Sequence, residues 1–311
     1  MDTYNKTSVS EFIFMAFLST TRYPALLFTL FLLMYLGTLI LNILMMLVII
    51  VDSHLHTPMY FFLFNMNILD ICSTSNIVPQ TLDSLLNSKH SIHFVSCAIQ
   101  MFWFVSLGGA QLMLYTVMAY DRYAAITHPL RYRTIMSWRV CRTLIFITWL
   151  TSSVSAILIV FSVFCLPFCD SREIDHFFCD VGQVLLLTCP SEQIQEMVEI
   201  STFLYGLFIL TIPLTLIVVS YIYIVSAVLK IKTTEGRKMA FSTCSSHITI
   251  VSVEYASLAF ILLRPKTAFS YDKDRLFVAA FLLSAPMINP LTYSIRNKAV
   301  KRGFKKLLFS R

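Results

Sequence analysis

Charge is scarce in this chain. Only 13% of its 311 residues are Asp, Glu, Lys or Arg, against 57% hydrophobic residues, and the mean hydropathy is +0.73. Ordinary soluble domains carry about 25% charged residues, so the composition excludes a water-soluble globular domain and indicates a membrane protein. Strict apolar–polar alternation over short segments is also missing, which excludes the strands of a membrane barrel. There is no internal repeat and no low-complexity linker, so one domain over residues 1–311 is expected.

What the chain has instead is long apolar runs, near 24–51, 58–81, 98–121, 139–162, 197–228, 238–262 and 273–293. A helix rises about 1.5 Å per residue and must cross about 30 Å of hydrocarbon, so a span takes about 20 residues. Only a helix satisfies every backbone group of such a run from within. The expected fold is therefore all-α, a bundle of seven transmembrane helices. Pro58, Pro79, Pro213, Pro286 and Pro290 fall in or at the ends of these runs, where kinks are tolerated once neighbouring helices engage the freed carbonyls.

The basic residues set the orientation. Arg122, Arg131, Arg133, Arg139 and Arg142 follow the third run, and Lys230, Lys232, Arg237 and Lys238 follow the fifth. Arg296, Lys298, Lys301, Arg302, Lys305, Lys306 and Arg311 fill the tail, and together these are most of the chain's 24 Lys and Arg. Positive loops stay cytoplasmic, which puts residues 1–23 outside and 294–311 inside. The net charge of +7 then reads as a topology signal; nucleic-acid binding is not expected, because the basic residues are divided among short juxtamembrane loops.

The polar start agrees with this orientation. Asn5-Lys6-Thr7 is a glycosylation sequon on the outer side. The first twenty residues lack a basic start and a compact apolar core, so the first span is expected to act as its own insertion signal. Cys97, Cys169, Cys179 and Cys189 fall on the oxidising side, where four cysteines allow three pairings. The loop 163–196 is too long to be left unsupported, and a bond to Cys97 would hold it over the bundle. Cys72, Cys141, Cys165 and Cys244 are expected as free thiols. His176 stands near Cys179 and Asp180, yet a disulfide-bonded cysteine is no thiolate ligand, and no metal or cofactor is expected.

Polar residues inside a membrane are costly and mark functional positions. Asn42, Asp70, Gln111, Asp121, Arg122, Glu254 and Asn289 stand out. Gln111 and Arg122 are eleven residues apart, three helical turns, and so share one face. Asn42 is equally well explained as a bond between helices. An ion transporter would stack acids at successive depths, and only Asp70 and Glu254 lie mid-span. An enzyme would need a nucleophile with a base, or paired histidines; His54 and His56 lie in a loop, His90 and His93 outside, and no such set forms.

Five long stretches, in order and in register, carry a resemblance: PMYFFLFNMNILDICSTSNIVPQ (58–80), MAYDRYAAITHPLRY (118–132), SYIYIVSAVLKI (220–231), KMAFSTCSSHITIV (238–251) and NPLTYSIRNKAVKRG (289–303). They resemble the olfactory receptors, a branch of the rhodopsin-like G-protein-coupled receptors, over essentially the whole chain. The resemblance implies a plasma-membrane receptor that binds a small volatile odorant. Its implied partner is a heterotrimeric G protein of the stimulatory, cyclase-activating type. It implies that Asp121 holds Arg122 beside Tyr123 at the inner end of the third span until activation. Asn289, Pro290 and Tyr293 resemble a second switch that meets Tyr221. It also pairs Cys97 with Cys179 and Cys169 with Cys189. Residues 296–309 read as an amphipathic helix on the inner lipid surface, with Val300, Phe304, Leu307 and Leu308 on one side.

The outer half should hold the ligand. From Ala98 to Ala110 the third span has no acid, so nothing there would pair with a cationic amine, and Phe104, Val105, Gly108 and Gly109 are the inward positions at helical spacing. Matching the family's pocket adds Tyr205, Ile209, Tyr255, Leu258, Leu262, Ala279 and Leu282, a mostly apolar set with one or two hydroxyls. Two departures matter. Gln111 stands where these receptors often carry glutamate, so a sodium ion held with Asp70 would have one charge fewer. Glu254-Tyr255-Ala256 stands where they usually read Phe-Tyr-Gly, and Glu254 is expected to serve as a buried neutral hydrogen-bond donor or to sense a polar ligand.

Overall fold

A computed structural model describes residues 9–16, 24–86, 90–169, 171–189, 192–263, 271–296 and 298–309. Its helices are α1 (Pro24–Val51), α2 (Pro58–Leu86), α3 (Phe94–Thr127), α4 (Tyr132–Ile135), α5 (Trp138–Phe164), α6 (Val181–Leu185), α7 (Glu192–Leu229), α8 (Thr234–Leu263), α9 (Tyr271–Arg296) and α10 (Lys298–Phe309). Three short strands, β1 (Glu11–Phe14), β2 (Ser91–His93) and β3 (Glu173–Ile174), lie at the outer end. Asn5 lies outside the described residues.

The seven long helices each contain one of the apolar runs and mostly overrun it, because a helix continues through polar residues once hydrocarbon has fixed its middle. Among the described residues six are long and apolar enough to cross a membrane. The seventh, α8, is diluted by Ser242, Thr243, Ser245, Ser246, His247 and Glu254; of these, His247 and Glu254 bond to α3 inside the bundle. Lipid-facing positions stay apolar: Leu33, Phe146, Leu158 and Phe203 are each more than 60% exposed. The largest buried cluster joins Met45, Leu63, Leu69, Leu114, Tyr115, Met118, Ile250 and Tyr293, so α3 packs in the middle of the bundle.

Proline effects are absorbed by neighbours. Pro290 has no N–H for the carbonyl four residues earlier, and that carbonyl, Pro286 O, instead accepts from Asn42 Nδ2 at 3.0 Å. The same amide donates to Thr38 O at 2.9 Å. Asn42 thereby ties α1 to the distorted part of α9.

The sheet was not foreseen from the polar amino-terminal stretch. β1 pairs antiparallel with β2, Phe12 opposite Ile92, and parallel with β3, Phe14 opposite Ile174. Alternation along β1 buries Phe12 and Phe14 against Phe94, Phe168 and the outer ends of α3 and α5. Disulfides join Cys97 to Cys179 and Cys169 to Cys189, while Cys72, Cys141, Cys165 and Cys244 are free.

At the inner end α10 lies against α1. A Cβ on Gly303 would stand 2.6 Å from Val48 Cγ1, closer than atoms can pack, so glycine is what permits the approach. Val300 is fully buried, and Phe304 and Leu307 pack on the same cluster; the Leu308 side chain lies outside the described ones. Asp52 accepts from the His54 N–H and ring and lies 3.8 Å from Lys306 Nζ. The His54 bonds hold its carboxyl below the usual range against the opposing effect of burial.

Candidate functional site

A cavity of about 260 Å³ opens in the outer half between α2, α3, α7, α8 and α9. Phe104, Val105, Gly108, Gly109, Tyr205, Ile209, Leu258, Ala279 and Leu282 line it as the sequence led us to expect. Gly108 faces open space, with nothing within 4 Å of where its Cβ would be. The Tyr205 hydroxyl is buried and has no hydrogen-bond partner among the described residues.

Tyr255 is a correction. It lines a separate groove of about 530 Å³ between α7 and α8, with Tyr221, Val225 and Ile248. Successive helical residues are turned by about 100°, so Glu254 and Leu258, four apart, share the cavity face while Tyr255 turns away. The Leu262 side chain lies outside the described ones. The sequence reading also left out the α2 wall of Ser73, Thr74, Ile77 and Val78, and the loop residue Phe177 above it.

That loop is fixed by more than its disulfide. The Cys179 N–H donates to Gln100 Oε1 at 2.9 Å, and Gln100 exchanges bonds with the Asn76 backbone and side chain at 3.1 and 3.0 Å. One side chain on α3 thus binds the loop and α2 together. Asp180 caps α6, accepting from Gly182 N and Gln183 N at 3.0 and 3.3 Å. With Cys179 in a disulfide, neither residue is disposed to join His176 around a metal.

Below the cavity lies a buried polar network. Asn289 Nδ2 donates to both Asp70 oxygens, at 3.1 and 3.0 Å, and Gln111 Nε2 donates to Asp70 Oδ1 at 3.2 Å. Gln111 also reaches the Tyr115 hydroxyl at 3.3 Å, and that hydroxyl donates to Glu254 Oε1 at 3.2 Å. Gln111 therefore meets Asp70 as a donor. The network joins four helices, with Asp70 holding α2 to α3 and α9 and the Tyr115 hydroxyl linking α3 to α8 and α9. Tyr115 was not singled out beforehand, although it stands one turn below Gln111 on the same face.

The expected Asp121–Arg122 ion pair is not formed. Asp121 Oδ1 accepts from the Tyr132 hydroxyl on α4 at 2.6 Å, and Arg122 Nη2 is buried with no hydrogen-bond partner among the described residues. Adjacent residues on a helix do not face one another, and a donor on α4 reaches the carboxylate directly. Burial, with Asp121 beside it, pushes the Tyr132 phenol well above its ordinary range, so it remains a donor. Tyr123 meets the rings of His128 and Tyr223 edge to face at the rim.

His247, fully buried on α8, links the two levels. Its Nε2 lies 3.1 Å from the Tyr115 carbonyl, and its Nδ1 2.7 Å from the Tyr221 hydroxyl. A carbonyl can only accept, so Nε2 carries the proton and Nδ1 accepts from Tyr221. Tyr293 is buried on α9 with an unpartnered hydroxyl, one turn beyond Asn289 and Pro290.

The chain is similar to known proteins over nearly its whole length. A family model described as olfactory receptor matches residues 31–311. The chain is similar to olfactory receptor 10V1 of Homo sapiens, 40% identical over 309 residues and 99% of each chain. It is 43% identical over 308 residues to olfactory receptor 10K2 of Homo sapiens, covering 99% of this chain and 98% of that one. Olfactory receptor-like protein OLF3 of Canis lupus familiaris is 40% identical over 308 residues, 99% and 96% of the two chains.

Proposed function

The chain belongs to the olfactory receptor family, a multi-pass, non-enzymatic plasma-membrane family of odorant-sensing G-protein-coupled receptors, and we propose that it binds its odorant in the outer cavity and activates a stimulatory G protein that raises cyclic AMP. The observation that supports this most is continuity: Glu254 and Leu258 line the cavity on the same helix that carries His247, and Glu254 and His247 are seven residues apart, about two turns on one face. A ligand pressing on α8 acts on both levels of the bundle.

In this reading the resting state is held by His247, which bonds α3 at the Tyr115 carbonyl and α7 at Tyr221. An odorant that favours a small rotation of α8 weakens both bonds. The inner end of α8 then swings out, and Tyr221 and Tyr293 turn toward the unpartnered Arg122. The population shifts because the ligand binds one arrangement better. The opened inner face, bordered by the basic residues of α4, α5 and α10, receives the G protein. The test is cyclic-AMP production on an odorant panel, with Arg122→Ala as control: a response that the substitution abolishes supports the reading, and a response that survives it overturns the switch.

A further inference from the structure

Asp70 and Glu254 are both buried at mid-bundle, and their surroundings differ. Asp70 is saturated: Asn289 and Gln111 direct three N–H···O contacts into its two oxygens. Glu254 is 5% exposed and receives a single bond, from Tyr115 to Oε1. Among the described residues its other oxygen has no hydrogen-bond partner, and the residue lines the outer cavity. Among the described residues no lysine or arginine lines that cavity. Arg275, at the outer end of α9, is engaged by Asp175 of the loop.

The rest of the wall is apolar. Phe104, Val105, Leu258 and Leu282 offer nothing to a charged or polar group, and a buried carboxylate without a counter-charge is costly. A ligand that brings a cation to one end and hydrocarbon to the other satisfies both features at once. We propose that the outer cavity takes a small aliphatic amine as its ammonium ion, the nitrogen donating to the free oxygen of Glu254 and the alkyl chain lying between Phe104, Val105 and Leu282. The absence of an acid on the outer part of α3 does not oppose this, because the acid is supplied from α8. The unpartnered Tyr205 hydroxyl gives the cavity a second, neutral contact.

The proposal rests on the reading of this cavity as the odorant site, and binding is therefore measured separately from signalling. The purified receptor is heated with n-hexylamine or n-octylamine, with n-hexanol and n-octanol as neutral partners of equal length, at neutral pH and constant sodium chloride. Glu254→Gln keeps the shape of the side chain and the bond from Tyr115 while removing the charge, and its own melting temperature reports whether it folds. The amines are expected to raise the melting temperature of the wild type more than the alcohols do. Their apparent affinity is expected to fall about ten- to a hundredfold in Glu254→Gln, the size of a charge-assisted contact, with the alcohols little changed.

Equal effects of amine and alcohol overturn the proposal, as does an amine effect that Glu254→Gln retains or a stabilisation that sodium chloride alone supplies. Amine binding lost in Glu254→Gln without any cyclic-AMP response leaves the ligand assignment standing and removes the signalling reading. Cyclic-AMP responses to other odorants, with no amine binding, do the reverse.

Discussion

The Tyr221 hydroxyl donates to His247 Nδ1 at 2.7 Å, joining α7 to α8 at the groove that Tyr221 and Tyr255 line. His247 is held from its other nitrogen by the Tyr115 carbonyl, so three helices meet at one neutral imidazole. This junction is the resting restraint of the account.

His247→Phe keeps a ring in the space but removes both bonds. A net hydrogen bond contributes about 1 kcal/mol, about fivefold in an equilibrium. Basal cyclic AMP is expected to rise severalfold at matched surface expression; an unchanged or lowered basal level contradicts the restraint.

Gly108→Leu projects a side chain into the cavity from a Cβ that meets nothing within 4 Å, and it replaces a glycine inside a helix, which favours folding by up to about 1 kcal/mol. The melting temperature should hold or rise while potency for the larger odorants falls first. A panel response unaltered in both potency and size preference would place the ligand elsewhere.

Asn42→Leu leaves the Pro286 carbonyl without its donor. Bonds between membrane helices are worth about 0.6–2 kcal/mol, so a modest drop in melting temperature is expected with ligand rank order preserved.

Gly303→Val forces a side chain into Val48. Overpacking costs about 1–3 kcal/mol, and here it lifts α10 off α1 and separates Lys306 from Asp52. G-protein activation by a saturating odorant should fall while odorant affinity, measured on purified receptor, stays within about twofold because the cavity is at the opposite end.

Cys97→Ser releases the loop that carries Phe177 over the cavity. Loss of such a disulfide typically costs about 2–5 kcal/mol, so surface expression and odorant potency should both drop. Cys169→Ser, whose bond closes a shorter loop farther from the cavity wall, should affect potency less.

Much of this arrangement was legible in the sequence. Apolar runs of span length located the seven helices, because hydrocarbon leaves the backbone no alternative. Helical spacing placed Phe104, Val105, Gly108 and Gly109 on the cavity. Pairings between distant segments were not legible: nothing local in Glu11–Phe14 says that it will pair with 91–93 and 173–174. The ion pair expected of Asp121 and Arg122 failed for a geometric reason visible in retrospect, since adjacent helical residues diverge and Tyr132 lies within reach. Tyr255 failed for the same reason, one residue out of phase with Glu254 and Leu258.

The central claim is that filling the outer cavity moves the inner end of α8 away from α3. Probes introduced by unnatural amino acids at Tyr120 and Phe241, both exposed near the inner ends of those helices, report that distance in the purified receptor with and without an activating odorant. The account predicts that the odorant lengthens it by several ångströms in the wild type and leaves it unchanged in Gly108→Leu. A distance that stays fixed while the same odorant drives cyclic-AMP production would contradict it.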